Sequence, residues 1–139
     1  MVQDTASLVS ILRQRPYLVA SVHAALDDNQ MERFRHDLID AIGEEHARGV
    51  IIDVAALDVL DSFGSRTIRD LAQMTRLRGA ATVIVGIQPD VALAMVGLGM
   101  GTGAIRTALD LEEGIDLLDR STRHSGVRNG CRPPLRSAR

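Results

Sequence analysis

Ser62 has the most chemistry gathered around it. It stands in the stretch Asp58-Val59-Leu60-Asp61-Ser62-Phe63-Gly64-Ser65-Arg66, just after the apolar run 50–54. Carboxyl ends of buried strands are where α/β sheets present ligands and reactive groups. A hydroxyl at the start of a helix has three chemical uses there. It can cap the helix by accepting from first-turn amides, worth about 1 kcal/mol. Residue types alone favour this plain N-cap for Ser62. It can carry a phosphate, which meets the free amides and the positive end of the helix dipole. Such a phosphate adds about −1.5 to −2 of charge. Asp58 and Asp61 would oppose it, so the fold would tolerate the group while a partner docked on the turn would not. The third use, nucleophilic attack, wants a His base and a third orienting group. Nothing in the sequence sets His23, His36, His46 or His124 beside Ser62. The surroundings are not a glycine-x-serine-x-glycine elbow either.

Other chemistry is weaker. His36 and His46 are ten apart, no two His share i, i+4 spacing, and Cys131 is the single cysteine. That leaves no metal site and no internal disulfide. Gly97, Gly99, Gly101 and Gly103 follow a helical pattern and precede a strand, the reverse of a phosphate-cradling loop. They read as a flexible turn. Asp53 and Asp58 lack the phosphate-binding loop that would make them a magnesium pair, and read as polar ends of a strand and a loop.

The elements that must position Ser62 follow from periodicity. Apolar runs at 8–12 and 17–23, separated by Arg13, Gln14, Arg15 and Pro16, predict a hairpin. Asp27, Asp28 and Asn29 offer cap chemistry for a first helix with Met31, Phe34, Leu38, Ala41 and Ile42 inward, ending near Gly49. The run 50–54 predicts a buried parallel strand. A second helix begins at Asp61 or Ser62 and ends near Arg78, with Gly79 as its stop. Phe63, Ile68, Leu71, Ala72 and Leu77 are expected inward, and Arg66, Arg69, Asp70, Gln73 and Arg76 on the wet face. The run 81–86 is the next strand. Pro89 and Asp90 open a third helix with Val91, Met95, Val96 and Leu98 on its apolar side. Residues 105–108 form a short last strand. Asp110 and Glu113 have capping-box spacing before a fourth helix that buries Leu111, Ile115 and Leu118. The order β-β-α-β-α-β-α-β-α predicts an α/β single domain: a mixed, mostly parallel sheet with an N-terminal hairpin and about four helices.

Length and charge fit one such domain. The chain has 139 residues, 45% hydrophobic and 24% charged, a soluble globular balance. Aromatics make up only 2%, which argues against stacking platforms for nucleic acid. No apolar run has membrane-spanning length, and the N-terminus lacks a signal layout, so a cytoplasmic protein is expected. All 18 carboxylates and eleven of the 16 Arg (there is no Lys) lie in residues 1–120. That leaves −7 there and +5 in residues 121–139. With Gly126, Gly130, Pro133 and Pro134 and little to bury, 121–139 is expected to be a disordered Arg-rich tail outside a domain of 1–120. An arm for an acidic partner is its functional reading, and an accidental extension is the favoured one.

Asp61-Ser62-Phe63-Gly64 after an apolar strand, a helix ending near Arg78-Gly79, then 81–86 and Ile87-Gln88-Pro89 resemble the STAS domain of sulfate transporters and anti-sigma factor antagonists. Within that family they are most similar to the RsbS-type small subunit of the bacterial stressosome. The resemblance covers about residues 8–120 and leaves the Arg-rich tail outside.

It implies a non-enzymatic switch without a cofactor. Ser62 would be phosphorylated by a serine kinase of the histidine-kinase-like ATPase class. That kinase would dock on Asp58, Asp61, Ser62, Phe63 and Gly64. Paralogues with N-terminal sensor domains would co-assemble with the chain, and a serine phosphatase would reset it. Phosphorylation would release the kinase and set off a stress response. Ser65, three residues on, sits in the first helical turn and offers a kinase less access. A free anti-sigma factor antagonist that captures an anti-sigma kinase is the alternative function. A nucleotide-binding or enzymatic module is a third and weaker one.

Overall fold

A computed structural model describes residues 8–97 and 105–130. Five strands form one sheet and lie side by side in chain order. β1 (Val9–Gln14) pairs antiparallel with β2 (Tyr17–Val22), the hairpin the sequence predicts. β2, β3 (Gly49–Asp53), β4 (Ala81–Val85) and β5 (Ile105–Ala108) are mutually parallel. Arg13 and Gln14 belong to β1 rather than to the turn. They sit at the exposed end of an edge strand, where polar residues keep their ladder bonds without losing water.

Linear strand order has a direct consequence. Parallel crossovers are almost always right-handed, and right-handed crossovers that all step the same way put their helices on one face of the sheet. α1 (Asp28–Glu45), α2 (Ser62–Leu77) and α3 (Pro89–Gly97) therefore lie together. They close over a core that includes Phe34, Leu38, Val50, Ile52, Leu71 and Ile84. α4 (Leu111–Gly130) covers the opposite face through Leu118, against Tyr17, Val19, Ile51 and Val83. With both faces covered, β3 and β4 are buried almost throughout, as their continuous apolar runs require. Gly114 lets α4 approach closely: a Cβ there would stand 2.9 Å from Val85 Cγ1.

The ends of the helices differ from the sequence reading in four places, one of them Leu111, expected inward at the start of α4 but 38% exposed. α1 stops at Glu45, with His46 left-handed at φ 52°, four residues before Gly49, which is already in β3. Leu77, expected inward, is the last residue of α2 and is 88% exposed, and Val96 near the end of α3 is also exposed. α4 continues to Gly130, so the expected boundary at Arg120 falls inside a helix. Extending a helix from a packed first half avoids the nucleation cost. Arg106 of β5 donates to Ser121 Oγ at 2.9 Å at the point where the tail was expected to begin. The expected flexible turn at Gly99, Gly101 and Gly103, Leu98, and the tail from Cys131 onward lie outside the described residues.

Candidate functional site

The turn between β3 and α2 carries Ser62, and four backbone and side-chain contacts fix it. Asp53 accepts from the Ala55 amide at 2.9 Å, holding the chain as it leaves the strand. The Val54 amide donates to the Val85 carbonyl of β4 at 3.1 Å, and the Leu57 amide to the Val54 carbonyl at 2.9 Å. Leu57 and Leu60 are buried and anchor the turn from below. The last contact caps α2: Asp61 accepts from the Gly64 amide at 2.7 Å.

Asp61 is therefore the N-cap, and Ser62 is the first residue of the helix. This corrects the expectation that Ser62 caps the helix. A carboxylate one residue earlier already satisfies the first-turn donor and complements the dipole. The Ser62 hydroxyl is left exposed and free of a structural duty in the helix. Ser65 is its opposite. It is 2% exposed, and its hydroxyl finds no hydrogen-bond partner.

The other residues singled out with Ser62 divide by burial. Asp58 and Asp61 are exposed, Phe63 is half-buried, and Gly64 is buried. A Cβ at Gly64 would stand 3.0 Å from Leu60 and 3.3 Å from Met31, so this glycine serves close packing. Val59, which the sequence reading did not single out, is 62% exposed beside Asp58. Beneath the turn is a small apolar cavity of about 70 Å³, bounded by Leu26, Phe34, Leu57, Val59, Leu60 and Gly64. Among the described residues no hydrogen bond joins a histidine to Ser62: His23 bonds to Ser10 Oγ at 2.7 Å, and His36 lies 3.3 Å from Asp40. Among the described residues, no three His, Cys, Asp or Glu are grouped to hold a metal ion.

A second turn braces the first. Gly86, after β4, has φ +76°, and a Cβ on it would stand 2.9 Å from the Ala55 Cβ. Two residues on, Gln88 donates to the Ala55 carbonyl at 2.6 Å. The Gly86-Ile87-Gln88-Pro89 pattern thus has a mechanical meaning. Glycine admits the neighbouring turn, glutamine ties it down, and proline opens α3.

Charge is distributed unevenly over the molecule. At the edge where the parallel strands end, the four turns and helix starts carry Asp27 and Asp28, then Asp53, Asp58 and Asp61, then Asp90, then Asp110, Glu112 and Glu113. None of these turns contains an Arg. Helix N-termini favour acids, so the fold concentrates negative charge around Ser62. The opposite edge carries Arg13, Arg15, Arg48, Arg76 and Arg78. Two of these, Arg13 and Arg15, pair with Glu45.

Comparison with known proteins places this arrangement. The STAS domain model matches residues 9–113, and the chain belongs to the STAS family. A Ser-to-Glu variant of RsbS from Moorella thermoacetica is 31% identical, with a TM-score of 0.75 over 83% of this chain and 97% of that one. A chain from the structure describing the molecular architecture of the stressosome is 30% identical, with a TM-score of 0.67 over 81% of this chain and 98% of that one. The RsbT co-antagonist protein RsbRA of Bacillus subtilis (strain 168) is 27% identical over 90 residues. That match takes in 65% of this chain and 33% of RsbRA, so this chain spans about a third of that relative's length. The unphosphorylated anti-sigma factor antagonist SpoIIAA, at 19% identity and a TM-score of 0.69, shares the fold. Among the described residues no helix is long and apolar enough to cross a membrane.

Proposed function

We propose that this chain is a non-enzymatic, phosphorylatable scaffold and antagonist of the stressosome type. It holds a serine kinase of the histidine-kinase-like ATPase class against the turn that carries Ser62 and releases it when that serine is phosphorylated. The observation that carries the reading is the division of labour in the turn. Asp61 caps the helix, so the exposed Ser62 can be modified without unfolding it. The nearby Ser65 is out of a kinase's reach. Asp58, Asp61 and Val59 present charge and apolar surface for docking, and a dianionic phosphate beside them changes what a docked partner must desolvate. The likeness to RsbS and to a stressosome chain supports assembly with STAS paralogues that carry sensor domains, with a serine phosphatase resetting the switch.

Phosphosite mapping tests the reading. Incubation with the cognate kinase and ATP is expected to label Ser62, and Ser62→Ala to abolish the label and retain the kinase. Label on Ser65 or on a serine of 121–139 would overturn the assignment. Light scattering of the chain mixed with a sensor paralogue separates a stressosome subunit from a free antagonist, which would stay a monomer or dimer.

A further inference from the structure

The exposed ridge of α2 has a pattern of its own. Ser62, Arg66, Arg69, Gln73 and Arg76 follow one another at i, i+4, i+7, i+11 and i+14, and all five are exposed. Such positions fall on one narrow stripe of a helix. Ser62 heads the stripe and Arg66 is the next residue down it. Among the described residues, the ion pairs are Arg13 and Arg15 with Glu45, Arg35 with Glu32, and His36 with Asp40. Arg66 and Arg69 take part in none of them.

The surroundings make this stripe matter. The turn of Ser62 carries Asp58 and Asp61, and the start of α1, which packs against α2, carries Asp27 and Asp28. All four are acidic, and Arg66 is the nearest cation to Ser62 along the chain. We propose that Arg66 is the internal counter-ion of phosphorylated Ser62, gripping the phosphate from one helical turn below while Arg69 adds charge beyond it. An anion N-terminal to a cation at i, i+4 is the favourable order on a helix. The guanidinium fork suits two phosphate oxygens at once. Modification would then do more than add charge at the tip of the turn. It would lay the phosphate along the α2 ridge and withdraw Arg66 from the surface that partners meet.

The inference rests on Ser62 being the modified residue, and its test is chosen to stand apart from that reading. Phosphoserine is installed at position 62 during synthesis, so no kinase is needed, and the second phosphate ionisation is followed by phosphorus NMR. Pairing with Arg66 favours the dianion while the four carboxylates oppose it, so the reading is the difference between parent and variant about the ordinary value near pH 6. Arg66→Gln is expected to raise the ionisation by about 0.3 of a pH unit or more, with Arg66→Lys between. The difference is expected to collapse in about 1 M salt, where the Debye length is roughly 3 Å. The Arg66 side-chain Nε–H resonance is expected to shift on phosphorylation. An Arg66→Gln chain that titrates like the parent, or an Arg66 resonance that ignores the phosphate, overturns the proposal. A kinase that fails to label Ser62 would count only against the function proposed above.

Discussion

The Asp61 carboxylate takes the Gly64 amide at 2.7 Å and so spans Ser62 without involving it. One residue secures the helix and its neighbour is free for signalling. Ser62→Asp is therefore expected to unfold at nearly the same denaturant concentration as the parent, within about 0.5 kcal/mol. Asp61→Ala is expected to cost about 1 kcal/mol. Urea unfolding of the two variants side by side checks this. A large loss in Ser62→Asp would mean the serine is chiefly structural.

The buried Ser65 hydroxyl has no partner. Leaving a polar group dry and unpaired costs about 1–3 kcal/mol, part of which returns when the group is removed. Ser65→Ala is expected to stabilise the domain by up to about 1 kcal/mol, read as a higher melting temperature. Destabilisation would show that an internal water or a shifted rotamer satisfies the hydroxyl.

Gly86 and Gln88 brace the turn at Ala55 from outside. Gly86→Ala forces a side chain into a left-handed conformation, at about 1–2 kcal/mol, and into contact with Ala55. It is expected to lower the melting temperature clearly. Gln88→Ala removes one hydrogen bond and leaves the core alone. Its expected signature is local: faster hydrogen exchange at the amides of 55–60, with global stability little changed. Equal exchange rates in Gln88→Ala and parent would remove Gln88 from the account of how Ser62 is presented.

Glu45 closes the far edge of the molecule. Its carboxyl titrates below the ordinary 4.5, chiefly through the Arg13 hydrogen bond, with the charges of Arg13 and Arg15 assisting. A depressed carboxyl contributes stability that is full above the unfolded value and is lost as pH falls through the folded one. Glu45→Gln is expected to flatten the decline of stability below about pH 4.5, with a small amplitude because both arginine partners are exposed. Parallel unfolding curves at neutral and acid pH measure it. An unchanged acid limb would show the pair to be idle.

The sheet was legible because β3 and β4 are continuous apolar runs and α1 and α2 keep a helical period, as Met31, Phe34, Leu38 and Ile42 show. The serine turn was legible through its resemblance to known chains. Three things were not. Asp61 and Ser62 are both good caps, and only the backbone decides which one accepts from the Gly64 amide. The reach of α4 past Ser121 depends on a packed first half that a count of apolar residues in 121–139 does not register. The clamp of Gln88 on Ala55 joins residues 33 positions apart, and no periodicity connects them.

Tyr17 donates its hydroxyl to Asp119, tying the second strand to the last helix. It is the one tyrosine in a chain without tryptophan. Its ring is 3% exposed, against Leu118. The chain therefore carries its own optical gauge. The tyrosine band in the near-ultraviolet dichroism of this protein arises from one side chain, distinct from the weaker bands of Phe34 and Phe63, and that side chain sits at the seam between the sheet and α4. Undocking of the helix, during assembly or on heating, would extinguish that band while far-ultraviolet helicity stayed. A label-free spectrum thus separates loosening of α4 from loss of the fold.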